Sequence, residues 1–217
     1  MRTQNRIKSL YRARGVPTAG TSVYRADQRA EWLAKLPEAS RASAELLYAA
    51  LDGLREVKRT AQQQLVAESH RHPISHVLET CPGLGEIRVA RLIPIVVTPG
   101  RFRTARQFWS YCGLGIVMRS SSDWVPVEGR WQRTQVAKTR GLNMRHNSAL
   151  KVIFKGAATT VTTAPPEEPL RRNYQRLLEQ GTKPNLAKLT LARKIAATAL
   201  AMWKRQEVYD PGRHQKQ

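Results

Sequence analysis

Residues 38–68 constrain the fold more than any other stretch of this chain. Leu47, Ala50, Leu54, Val57 and Ala61 recur there at alternating spacings of three and four, the signature of a long amphipathic helix with one narrow apolar seam. Arg55, Lys58, Arg59 and a run of glutamines occupy its other faces. Two uses of the seam stand equal on the sequence. The helix packs on its own domain, or it is a coiled-coil arm that makes the protein a homo-oligomer through residues 39–68.

Helical periodicity continues along most of the chain. Residues 1–16 place Ile7 and Leu10–Tyr11 on one face and end at Gly15, without a cap at the start. A short helix over 24–36 stops at Pro37. Helical patterns at 74–80 and 86–97 flank Pro82-Gly83-Leu84-Gly85. Thr104 is a candidate N-cap for a helix that turns Phe108 and Tyr111–Cys112 inward and stops at Gly113. Another helix is expected to open at Asn143 and to bury Leu150, Ile153, Phe154 and Ala157. Helices over 169–180 and 184–208 complete the chain. The last buries Leu189, Ala192, Ile195, Ala199 and Trp203 opposite Lys188, Arg193, Lys194 and Arg205. Only "DWVPVEGRWQRTQV" alternates with period two, which predicts a small β-hairpin around Glu128-Gly129. The expected fold is therefore mainly α: a helical domain with a helix-hairpin-helix, a long coiled-coil-like helix and one small β-hairpin. A helical arm over 1–72, a helical domain over 73–210 and a disordered tail over 211–217 are the expected divisions.

Charge narrows the function. The 217 residues hold 37 Lys+Arg against 16 Asp+Glu, a formal net charge of +21. An excess of this size points to a polyanion, of which nucleic acid is the usual one. Residues 71–164 carry 14 basic and only 4 acidic side chains, and between Arg101 and Ala164 the only acids are Asp123 and Glu128. Two-metal nucleases need several converging carboxylates, which this segment cannot supply. No apolar run is long enough to span a bilayer, and the Arg-rich N-terminus has no signal-peptide apolar core. A cytoplasmic, nucleoid-associated protein without membrane contact is expected. Cys81 and Cys112 stand far apart, which suggests neither a disulfide framework nor a zinc site. His70, His72 and His76 are close in sequence, but Pro73 interrupts any helix that would align them, so no metal site is expected.

Two short segments carry candidate chemistry. Around Pro82-Gly83-Leu84-Gly85, glycines at 83 and 85 would let backbone approach a DNA phosphate, with the N–H groups opening the next helix directed at it. Arg88 and Arg91 would flank the contact. A plain turn between two helices explains the same residues without DNA, and the surrounding positive charge tips the reading towards DNA. The second segment is Ser120-Ser121-Ser122, between a Gly-terminated helix and the hairpin. A serine hydroxyl so placed could attack a phosphodiester while arginines neutralise the phosphate. Arg140, Arg145 and Lys151 are candidate phosphate contacts, and His146 is a candidate proton carrier. Tyr111 is a competing nucleophile, although its apolar helical setting reads as core. Serine clusters also occur in ordinary turns, and spacing alone does not favour catalysis.

The segments "CPGLGEIRVARLI", "RFRTARQFWSYCGLGIVMRSSSDW", "TRGLNMRHNSALKVIFKGAA" and "ARKIAATALAMW" occur in this order. Together they resemble the C-terminal part of insertion-sequence transposases related to the Piv/MooV DNA invertases, over about residues 75–205. The resemblance implies a serine that becomes covalently linked to DNA. By position that role falls to Ser121, with Ser120 its close competitor, because Ser122-Asp123 stand where a small residue is usual. It also implies DNA as partner and, as in some members, a guide RNA. Members begin with a RuvC-like domain whose acids hold Mg²⁺, and this chain starts at about the point where that domain should end. No cofactor is therefore expected in this chain, and Mg²⁺ is implied only for the missing domain. The expectation is a transposase or recombinase polypeptide, truncated or completed in trans, and inactive alone without those acids. A non-catalytic DNA- or RNA-binding remnant that regulates transposition is the alternative, and a basic protein that binds RNA without sequence preference is a third.

Overall fold

A computed structural model describes residues 2–118, 124–133 and 139–214. They form two compact units, Met1–Gln64 and Leu65–Gln217. Most of the described chain is helical, in keeping with the expected class.

In the first unit, α1 (Arg2–Arg12), two 3-10 turns, α2 (Arg29–Ala34) and the start of α3 (Glu38–His70) enclose a small core. Ile7, Tyr11, Val23, Trp32, Ala44 and Tyr48 fill it. Tyr11 meets Trp32 edge-on, with ring centroids 5.4 Å apart. Its hydroxyl lies 3.0 Å from that of Tyr48, so each of these two hydroxyls has a partner. Leaving one unpaired would cost about 1–3 kcal/mol. Asp52 accepts from both terminal nitrogens of Arg29, at 2.5 and 2.6 Å.

Two boundaries differ from the sequence reading. The first helix ends at Arg12, and the chain turns through Gly15 at φ +75°. The helix expected over 24–36 survives only as α2, because Arg25 is extended (φ −81°, ψ 135°) and interrupts propagation. In α3 the inward stripe is Ser40, Ala44, Tyr48 and Leu51. Of the seam residues, Leu47 is half-buried against this core, whereas Leu54 and Val57 are 56% and 67% exposed.

The second unit is organised around α9 (Pro184–Arg205), which packs on α4 (Pro73–Glu79), α6 (Ala105–Tyr111), α7 (Ser148–Val161) and α8 (Pro169–Glu179). Ala187, Ala192, Ala196 and Ala199 are buried along α9, and small side chains permit such close approach from several sides. The helix α5 (Glu86–Val96) packs on α4 and α7. Leu92, Phe108, Leu150, Phe154 and Ile195 lie in the shared core. Proline opens α4, α8 and α9, where its fixed φ favours helix and its missing N–H costs nothing. A 3-10 turn at Pro211–His214 lies within the stretch expected as a tail.

The predicted hairpin forms: β2 (Trp124–Val127) pairs antiparallel with β3 (Arg130–Arg133). Glu128 and Gly129 join them at φ +50° and +76°, the left-handed pair required by a tight two-residue loop. A second antiparallel pair, β1 (Ile116–Met118) with β4 (Thr139–Leu142), is additional to the expectation. The helix expected from Asn143 begins at Ser148, because Asn147 is its cap and accepts from the Leu150 amide at 3.1 Å. Residues 143–146 form a separate turn, in which Asn143 Oδ1 accepts from the Arg145 amide.

Candidate functional site

The turn between α4 and α5 is built by packing. Gly83 has φ +81°, and a Cβ there would stand 2.5 Å from the carbonyl oxygen of Ala157 in α7. Only glycine satisfies both constraints. Arg88 Nη1 donates to the Gly83 carbonyl at 2.7 Å. Its guanidinium also lies over Gly156, where a Cβ would come within 3.3 Å of Nε. Arg88, expected at a DNA phosphate, is thus engaged in holding this turn. Gly85 is exposed and caps α5 without any side-chain bond, which leaves the first amides of α5 open to an acceptor. Arg91 is exposed on the same helix.

The candidate nucleophiles Ser120 and Ser121 lie outside the described residues, as does Asp123. The stem that leads into them is well defined. Gly113 turns the chain at φ +68°, and a Cβ there would stand 2.4 Å from Cδ2 of the His146 imidazole. At Gly115 a Cβ would lie 2.8 Å from Ser110 Oγ. The Asn143 amide donates to the Gly115 carbonyl at 3.0 Å, and the Asn147 amide donates to the Tyr111 carbonyl at 2.9 Å. Asn143 Nδ2 donates to the Ser110 carbonyl at 3.2 Å. The end of α6, the start of β1 and the turn before α7 are therefore one hydrogen-bonded corner.

Beside that corner is a cavity of about 390 Å³ lined by Arg106, Trp109, Ser110, Gly115, Ile116 and Arg193. Trp109 Nε1 donates to the Arg193 carbonyl at 2.9 Å, and Arg193 Nε donates to the Leu114 carbonyl at 2.6 Å. Among the described residues, Arg193 Nη2 is buried without a hydrogen-bond partner. Burial holds Arg193 below the ordinary arginine range, although a guanidinium still stays charged at neutral pH. A half-buried cation with a spare donor beside an open cavity suits an anionic oxygen. The sequence placed Arg193 on the solvent side of the last helix. Nothing in the helical period distinguishes it from Lys188, because its burial comes from β1 and α6 contacts distant in sequence.

The remaining candidates lie on several elements. Arg145 is exposed in the turn before α7, and Lys151 is half-buried in the first turn of that helix. Arg140 stands in β4. His146 Nδ1 lies 2.7 Å from the Asn143 carbonyl. As the donor in that pair it leaves Nε2 as an acceptor. Tyr111 is half-buried, with its ring 5.3 Å from both the Phe102 ring and the Arg101 guanidinium. Cys81 and Cys112 are buried free thiols. Burial pushes Cys81 up to about 12, with Glu168 adding to the effect, and raises Cys112 as well. Among the described residues no helix is long and apolar enough to cross a membrane.

Part of the chain is similar to known proteins. The insertion element IS110 uncharacterized 43.6 kDa protein of Streptomyces coelicolor is 28% identical over 165 residues, 76% of this chain and 37% of its own length. The chain thus spans little more than a third of that curated relative. Residues 75–175, from α4 into α8, match the model of the IS116/IS110/IS902 transposase family. That segment contains the α4–α5 turn, the serine stem and the turn before α7, whereas Arg193 lies beyond it, so the similarity to insertion-sequence transposases covers most of the candidate site.

Proposed function

We propose that this chain is the DNA-handling, serine-bearing part of an insertion-sequence transposase. The observation that carries the reading is the cavity at the serine stem, lined by Arg106 and by an Arg193 whose Nη2 has no partner among the described residues. A DNA phosphate entering there would gain charge-assisted hydrogen bonds. Ser121, or Ser120 in its place, supplies the nucleophile. Its Oγ forms a bond to phosphorus, one phosphorus–deoxyribose oxygen bond breaks, and the released oxygen takes up a proton. His146 Nε2 is the group offered to accept the serine proton. The Mg²⁺-binding acids come from a RuvC-like domain, either in a longer form of the chain or in a second polypeptide.

DNA is also held away from the chemistry. The uncapped start of α5 at Gly85 and the exposed Arg91 offer a backbone phosphate a sequence-neutral seat, the helix-hairpin-helix mode. Arg140, Arg145 and Lys151 are further candidate phosphate contacts. The exposed Leu54–Val57 stripe of α3 is the seam for self-association, and a guide RNA is a further partner suited to the basic surface.

The test is a covalent adduct. The protein is mixed with labelled insertion-element ends, Mg²⁺ and the RuvC-like domain, then resolved under denaturing conditions. A protein–DNA band that disappears in Ser121→Ala, while native-gel DNA binding persists, supports the serine reading. A band retained in Ser121→Ala but lost in Ser120→Ala moves the role to Ser120. DNA binding without an adduct in any protein, the double serine variant included, overturns catalysis and leaves a binding protein.

A further inference from the structure

The corner between α3 and α4 holds a group of side chains that the DNA reading does not use. His70 ends α3, and three residues later Pro73 opens α4. Pro73 prevents one continuous helix, but the reversal it permits brings His76 back against His70. The two imidazoles stack with centroids 4.8 Å apart and planes 29° from parallel. Glu79 lies one helical turn beyond His76 on α4, and its Oε1 is 2.9 Å from His70 Nε2. One ligand atom from each of His70, His76 and Glu79 lies within 4.8 Å of the other two. His72, between them in sequence, stands at the N-cap of α4 and is not in the group.

We propose that His70, His76 and Glu79 bind a divalent transition-metal ion of the Zn²⁺ class. Two imidazole nitrogens and one carboxylate oxygen are a common three-ligand set for zinc, with water completing the tetrahedron. Ligand bonds of about 2.0–2.1 Å place neighbouring donors about 3.4 Å apart. The His70–Glu79 pair is already closer than that, and rotation of the exposed His76 ring closes the remaining distance. Imidazole donors select zinc, cobalt, nickel or copper over magnesium, which takes oxygen ligands. The site is therefore separate in kind from any Mg²⁺ site of strand transfer. A bound ion joins the last turn of α3 to α4 and replaces the 2.9 Å hydrogen bond by two metal bonds.

The test is metal titration of the full chain after chelator treatment, followed by calorimetry with Zn²⁺ and by the visible absorption of Co²⁺. One ion per chain is expected, with a tetrahedral Co²⁺ spectrum and a thermal midpoint that rises on saturation. His76→Gln and Glu79→Gln should each weaken binding tenfold or more and abolish the thermal shift. His72→Gln should leave both unchanged. His76 is exposed, so its substitution does not threaten the fold, and circular dichroism checks this directly. Absence of saturable binding overturns the proposal. So does binding that is unaffected by His76→Gln or is lost in His72→Gln.

Discussion

At the scale of single residues, the two glycines of the α4–α5 turn are set apart by geometry. Gly83 combines a positive φ with a backbone oxygen where a Cβ would stand, whereas Gly85 has open space around it. Gly83→Ala should therefore lose about 3 kcal/mol or more, and Gly85→Ala about 1 kcal/mol or less, as read from urea unfolding. Equal losses would mean that the turn does not pack on α7 in this way. The thiols give a second residue-scale expectation. Cys81 and Cys112 are buried and held in the protonated form by desolvation, and only thiolate reacts readily. Alkylation at neutral pH should modify neither cysteine in the folded protein and both after unfolding. Rapid labelling of one would show that its surroundings open.

At the scale of elements, α3 contains two different helices in one. Its first turns pack Ala44, Tyr48 and Leu51 into a core, while Leu54 and Val57 remain exposed. If that stripe pairs copies of the chain, Leu54→Glu with Val57→Glu should convert an oligomer to a monomer in sedimentation equilibrium without loss of helicity. A wild-type monomer at all concentrations would remove the coiled-coil reading. The Arg29–Asp52 pair ties α2 to α3, and its hydrogen bonds hold the Asp52 carboxyl below the usual aspartate range. A carboxyl lowered in the folded state stabilises above its unfolded value and loses that contribution as pH falls through the folded value. Stability should therefore decline in acid, below about pH 4, and Asp52→Asn should flatten that part of the profile. Asp52 is 47% exposed, so the effect is modest.

At the scale of the whole molecule, the formal charge of +21 governs association with any polyanion. For about five phosphate contacts, affinity should fall roughly 500-fold for a fourfold rise in salt. If Arg193 holds a phosphate at the serine, Arg193→Gln should lower adduct formation from bound DNA while lowering this salt slope by at most one contact. If Arg91 holds a phosphate elsewhere, Arg91→Gln should lower the slope by about one contact and leave adduct formation from bound DNA unchanged. The two measurements, a titration series and the adduct assay, separate general attraction from the site.

The sequence by itself determined the helices that their own residues encode. The 3–4 seam and Pro37 placed α3, Thr104 and Gly113 bounded α6, and Glu128-Gly129 specified a hairpin, because caps, left-handed turns and periodicity act within a few residues. The long basic stretch with two acids likewise points to a polyanion partner. What depends on residues far apart in the chain was not legible. The β1–β4 pair is too short for a period to register, and its register is set by Gly115–Asn143 hydrogen bonding. Arg193 looked like any exposed cation, and only the approach of Leu114 and Trp109 across some eighty positions buries it. Pro73 read as a barrier between histidines, yet the chain reversal it allows brings His70 and His76 into contact. Local sequence specifies where backbone bends and coils, whereas the meeting of side chains across a bend is decided by tertiary packing alone.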